Sequence, residues 1–216
     1  MTPYYDRDGI TIYHADYRDV IDDIAGDAVI TDPPYGVEFQ YEGGYDDSEQ
    51  AYAEVVLEPL PRLLSCAPLS LITPGLGNIW KFPQPRWTVA WNKPGSTRRS
   101  SLRGFNTWEP VLVYGDIKRP VYQDALNLPT IANVATGGET GNHPCPKPYR
   151  LLTWLVEQFT DPGDLIIDPF MGSGTTIKAA AHMGRRAIGI DVVEDYCRIA
   201  VSRLAQQTLD LDGAAS

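Results

Sequence analysis

The stretch Asp164–Ala181, "DLIIDPFMGSGTTIKAAA", reads as a buried strand, a glycine turn and a helix in immediate succession. Its apolar run ends at Asp168, the turn carries Gly172 and Gly174, and helix-forming residues follow from about Thr175. Glycines there let the backbone pass close to a ligand, and the first helical turn leaves N–H groups without intrahelical partners. Three nucleotide-site readings compete. A P-loop needs G-x-x-x-x-G-K-[ST], and no lysine follows Gly174. A dinucleotide fingerprint needs a third glycine where Ile177 stands. The third reading is a nucleoside-type cofactor bound at the strand end, and it predicts an acid closing the next strand to accept from ribose hydroxyls. "RRAIGIDVVEDY" supplies Asp191 about twenty residues on. The same carboxylate is also placed to cap the helix that follows.

Outward from this turn, short β-branched runs alternate with helical stretches, which predicts an α/β domain with a largely parallel sheet. The candidate strands are "GITIYHA", "DAVITD", "LSLITPG", "WTVAWN", "PVLVYG", "DLIIDPF" and "RAIGID". Candidate helices cover 48–65, 148–159, 175–183 and 194–207, the first interrupted near Pro59 and Pro61, because an interior proline breaks a helix. Seven strands and four helices make one doubly wound domain over residues 1–211. Residues 116–142 lack periodicity, and a long irregular connection inside a compact domain is usually functional or mobile. Residues 212–216, "DGAAS", are expected to fray.

With 216 residues, 43% hydrophobic and 21% charged, the composition is that of a soluble globular domain. No apolar run is long enough to span a bilayer, and "MTPYYDRDG" is no signal peptide, so a cytoplasmic location is expected. Cys66, Cys145 and Cys197 form no CxxC pair and read as thiols in a reducing compartment, with Cys66 and Cys197 as buried hydrophobes and no metal site. The net charge of −10 argues, alone, against nucleic acid as a partner. The acids are unevenly spread, however: residues 1–60 hold 15 Asp/Glu against two Arg. "NKPGSTRRSSLRG" carries Lys93, Arg98, Arg99 and Arg103 with no acid, and these four are the candidate phosphate contacts; the alternative is a solvated loop. His14 and His182 read as packing or surface residues, the five tryptophans as core or edge aromatics, and Lys178 as exposed.

Several motifs together resemble a known family. "DPPY" (Asp32, Pro33, Pro34, Tyr35), "DPFMGSGTT" and "GID" look like the S-adenosylmethionine-dependent amino-methyltransferases of DNA, in the permuted order of the β class, with the catalytic motif before the cofactor turn. "HPCPKP" resembles the family's HP-x-Q-K-P segment, with Pro146 where glutamine is usual; "IYHADYRDVI" resembles the strand and acid near the adenine; "WEPVLVYG" resembles a late strand of the catalytic half. The resemblance spans about Ile10 to Leu204. It implies a Rossmann-like fold whose seven-stranded, mostly parallel sheet has one antiparallel strand at its edge. The two cofactor strands would abut the N-terminal strand. It also implies that Asp16, His143, Lys147, Asp168, Pro169, Phe170, Gly172, Gly174, Thr175, Asp191 and Val192 bind S-adenosylmethionine, with His143 and Lys147 near its methionine portion.

The opening prolines of DPPY have a chemical rationale under this resemblance. The exocyclic amine of adenine or cytosine is a poor nucleophile, because its lone pair is delocalised into the ring. Two acceptors, the Asp32 carboxylate and a backbone carbonyl such as that of Pro33, would localise it. Paired prolines fix φ and restrict the residue before them, so both acceptors are held in place. Tyr35 would stack on a base taken out of the duplex. Methyl transfer would be a direct in-line displacement. DPPY points to N6 of adenine in double-stranded DNA, with N4 of cytosine as the alternative. Target recognition would fall within about 92–142, a small region that implies help from a homodimer or a partner subunit. A non-catalytic, cofactor-binding subunit is the reading from another class. A prokaryotic or phage-infected cell would be the host.

Overall fold

The computed structural model describes residues 1–37, 47–96, 105–128 and 147–213, with backbone alone from 207 onward. Among the described residues, nine strands form one sheet: β1 (Tyr5–Arg7), β2 (Ile10–His14), β3 (Ala28–Thr31), β4 (Leu69–Ile72), β5 (Trp87–Asn92), β6 (Trp108–Gly115), β7 (Ala125–Asn127), β8 (Leu165–Asp168) and β9 (Arg186–Asp191). Their spatial order is β1-β2-β9-β8-β3-β4-β6-β5-β7. All seven expected strands are present, and the paired strands β8 and β9 abut β2 through β9, as expected. The two additions, β1 and β7, are three-residue strands at the two edges, too short to carry a periodic signal. The core antiparallel strand corrects the expectation of an edge position: β6 runs between β4 and β5, antiparallel to both.

Strand side chains alternate between two apolar layers, as period-2 geometry requires. Ile30, Leu71, Val111, Val113 and Ile166 face one layer, covered by α3 (Tyr149–Phe159), α4 (Thr175–His182) and α5 (Glu194–Gly213). Val29, Ile72, Leu112, Ile167 and Ile190 face the other. That second layer is closed by 3₁₀ turns at Tyr17–Asp19 and Ile21–Asp23 and by the chain from 49 to 65. There the expected helix is three pieces: α1 (Glu49–Tyr52), a π turn at Ala53–Leu57, and α2 (Leu60–Ser65). Ser48 caps α1 by accepting from the Ala51 N–H, and Pro59 and Pro61 start α2, where a missing N–H costs least. α5 continues to Gly213, two residues into the tail expected to fray. Cys66 and Cys197 are buried thiols, as expected, and burial pushes them up to about 11 and about 12.

Candidate active site

Five parallel strands end along one edge of the sheet, and each delivers a polar side chain there. In open α/β sheets ligands collect at the carboxyl ends of strands, where the strand order reverses. Here the reversal falls between β3, which leads to β4 on one side, and β8, which leads to β9 on the other. A cavity of about 490 Å³ opens at that point.

One wall is the glycine turn. Gly172 and Gly174 both have positive φ, 50° and 78°. A Cβ on Gly174 would stand 2.7 Å from the Ala200 Cβ of α5, so this glycine is needed for conformation and for close packing; it backs the turn, whereas Gly172 and Thr175 line the cavity. No side-chain hydrogen bond caps α4 at Gly174, and the first N–H groups of a helix have no intrahelical partner. Asp191 spans the turn: its Oδ2 accepts from the Gly172 N–H at 2.9 Å and its Oδ1 from the Val193 N–H at 2.8 Å. Burial pushes this carboxyl up to about 6 against those two bonds. Asp168 is more deeply buried and is pushed up to about 7, although Thr31 donates to it at 2.7 Å and the Phe170 N–H at 3.2 Å. Pro169, Phe170 and Val192 complete this side. Phe170 packs its ring 4.8 Å from that of Tyr17. Asp16 lies on the same wall, held below the usual carboxylate range by the Arg18 guanidinium, which donates to both its oxygens.

The facing wall follows β3. Asp32, Pro33, Pro34 and Tyr35 all line the cavity. Asp32 Oδ1 accepts from the Tyr35 hydroxyl at 2.7 Å and from Thr73 Oγ1 at 2.5 Å, and its Oδ2 accepts from Lys147 Nζ at 2.7 Å. Lys147 Nζ also donates to the Tyr35 hydroxyl at 2.6 Å. Burial alone would lower the Lys147 ammonium, but Asp32, with Tyr35 and Glu109, more than offsets it and raises it. Burial and the neighbouring Asp32 together raise the Tyr35 phenol. The Tyr35 ring lies against Gly75, whose φ is 72° and where a Cβ would come within 3.2 Å of the ring. Asn78 fixes the loop by donating to the Tyr35 carbonyl at 2.8 Å.

Thirteen expected site residues thus share one cavity although the sequence separates them widely. His143, Arg98, Arg99 and Arg103 lie outside the described residues. Lys93 is a correction. It is buried, its ammonium is paired with Glu109, and its Nζ lies 5.1 Å from the Trp91 ring centre, so it is withdrawn from solvent and from any phosphate. Lys178 is half-buried beside the Tyr149 ring, and Trp80 stands 90% exposed; neither matches its expected setting. Thr31, Thr73 and Glu109 were not singled out. Thr31 ends β3, Thr73 directly follows β4, and Glu109 is the second residue of the antiparallel β6, which places all three on the functional edge.

A family model described as DNA methylase, of the N6/N4 methyltransferase type, matches residues 121–202. The methylase-like YubD protein of Escherichia coli (strain K12) is 30% identical over 192 residues, covering 84% of this chain and 82% of YubD. The chain belongs to the N6/N4 family of S-adenosylmethionine-dependent DNA methyltransferases. The type II methyltransferase M.ScaI of Streptomyces caespitosus is 24% identical to this family member over 260 residues, covering 97% of this chain and 86% of M.ScaI. The crystal structure of the M1.HpyAVI–SAM complex superposes with a TM-score of 0.66 at 25% identity, covering 90% of this methylase and 98% of the other chain.

Proposed function

We propose that this chain is a site-specific methyltransferase that moves a methyl group from S-adenosylmethionine to N6 of adenine in double-stranded DNA, directly and in line, after the base has left the duplex. The observation that carries this reading is that the Asp32 carboxylate and the glycine turn face each other across one cavity. DPPY, the form commoner among adenine enzymes of the family, favours adenine over cytosine.

The cofactor reading rests on the chemistry of the wall. Uncapped α4 N–H groups, the Gly172 backbone, the Asp191 carboxyl and the apolar Phe170–Tyr17 pair suit a nucleoside joined to an amino acid. When bound, S-adenosylmethionine supplies an electrophilic methyl group. Asp32 would accept a hydrogen bond from the target amine, localising its lone pair and stabilising the positive charge that grows on nitrogen. Thr73 and Tyr35 hold Asp32 Oδ1 from behind, and Pro33 and Pro34 stiffen the backbone that carries it. Tyr35, backed by Gly75, would offer its other ring face to the base. With no covalent intermediate, much of the acceleration comes from holding amine and methyl carbon in a near-attack arrangement.

The deciding experiment is methyl transfer from labelled cofactor to unmethylated genomic DNA at low salt, with Asp32→Ala in parallel and the product digested for mass spectrometry. N6-methyladenine that vanishes in the variant is the expected result. N4-methylcytosine would keep the mechanism and change the base. A second reading, a cofactor-binding subunit that needs a partner to engage DNA, is favoured by the burial of Lys93 and the net charge of −10. Cofactor binding without transfer to any DNA would support it, and a partner or second copy would then have to aid recognition near residues 92–142. The bacterial relatives support a cytoplasmic location.

A further inference from the structure

The Lys147 ammonium sits on the two groups that the methyl-transfer reading gives to the target base. It donates to Asp32 Oδ2, the acceptor meant for the amine, and to the hydroxyl of Tyr35, the ring meant for stacking. Asp32 Oδ1 already accepts two donors, from Tyr35 and Thr73, so an incoming amine is directed to Oδ2. An ammonium and an exocyclic amine both present N–H donors to that oxygen. We propose that Lys147 is a positioning residue and a place-holder for the target amine: its ammonium occupies Asp32 Oδ2 and the Tyr35 hydroxyl until the base enters, and base entry exchanges it out. This inference rests on the methyl-transfer reading above.

Two physical arguments support the exchange. A carboxylate left unpaired in a half-buried cavity is costly, and a cation held there until the substrate arrives removes that cost. Keeping the cation during transfer would be harmful, because positive charge then develops on the amine nitrogen beside it. Like charges held close together in a partly buried site, where water screens them poorly, repel strongly. Asp32 and Glu109 favour the charged form of Lys147, which makes movement rather than proton loss the relief of that repulsion. Lysine is suited to this, as a compact charge on a flexible stem. Glu109, already paired with Lys93, lines the same cavity and acts on Lys147 electrostatically, so a displaced ammonium stays within the field of an acid.

The test observes the ammonium directly, in full-length protein with ¹⁵N-labelled lysine side chains. Free protein should give a slowly exchanging Nζ cross-peak that is missing from Lys147→Met and lost in Asp32→Asn. Sinefungin, as cofactor probe, should leave the peak; adenosine at millimolar concentration, added as base probe, should shift or abolish it. A peak that survives Asp32→Asn, that ignores saturating adenosine, or that sinefungin alone removes would overturn the place-holder. In methyl transfer, Lys147→Met should lower KM for DNA, and Lys147→Arg should restore it. Abolished kcat with KM unchanged would make Lys147 part of the chemistry and overturn the proposal. Wild-type protein that methylates no DNA would instead sink the methyl-transfer reading, while the cross-peak would still decide the exchange.

Discussion

Asp32 gathers a phenol, a threonine hydroxyl and an ammonium around one carboxylate. Asp32→Asn keeps the shape and removes the charge. It should lower methyl transfer by about 10²–10³-fold, the range typical for losing one preorganised electrostatic contact, and leave cofactor binding by equilibrium dialysis intact. Lys93 makes the opposite kind of prediction. Because Glu109 would be left buried without its partner, Lys93→Met should destabilise the fold by about 3–5 kcal/mol in denaturant unfolding. Replacing both, as Lys93→Met with Glu109→Leu, should recover most of that loss. If Lys93 instead contacted phosphate, the single variant would unfold normally and flatten the salt dependence of DNA binding. At Gly174, alanine would face both a positive φ and Ala200, so Gly174→Ala should cost about 1–3 kcal/mol and weaken cofactor affinity.

At the scale of elements, the carboxyl ends of β8 and β9 carry two acids pushed upward by burial, Asp168 to about 7 and Asp191 to about 6. The folded state therefore binds protons in a range where the unfolded chain has released them. This stabilising contribution is fully present below the ordinary carboxylate range near pH 4 and is lost as pH rises toward 7. Thermal melting of the wild type should thus lose stability between about pH 4 and pH 7, and Asp168→Asn should flatten that slope. A slope of the same size in the variant would discredit the assignment. The same strand ends explain what was legible in the sequence. Both cofactor strands, both catalytic-half strands and the glycine turn could be read, because buried parallel strands are continuous apolar runs and a polar residue at their end is conspicuous. The edge strands β1 and β7 could not, at three residues each. Nor could the fate of Lys93: a basic stretch looks solvated until the fold brings Glu109, sixteen residues later, against it. The place of β6 between β4 and β5 is likewise a tertiary fact with no local signature.

For the whole molecule, the net charge of −10 opposes a polyanion, and withdrawal of Lys93 removes one of the candidate contacts. Affinity for duplex DNA should therefore be weak at physiological salt and fall further from about 50 to 200 mM, the slope giving the number of phosphates neutralised. A slope near zero would mean that charge plays no part in holding DNA. β8 and β9 join β2 to β3 in the middle of the sheet, yet the ribosome makes them last. A nascent chain that ends before Leu165 holds two separate half-sheets, each with one bare apolar edge of the kind that recruits other chains. At about 5–20 residues per second, that exposure lasts for several seconds after β3 has emerged. Slow codons placed just ahead of Leu165 should therefore raise the insoluble fraction on expression, whereas slow codons after Asp191 should not. For this protein the timing of synthesis is part of what its sheet order demands of the cell.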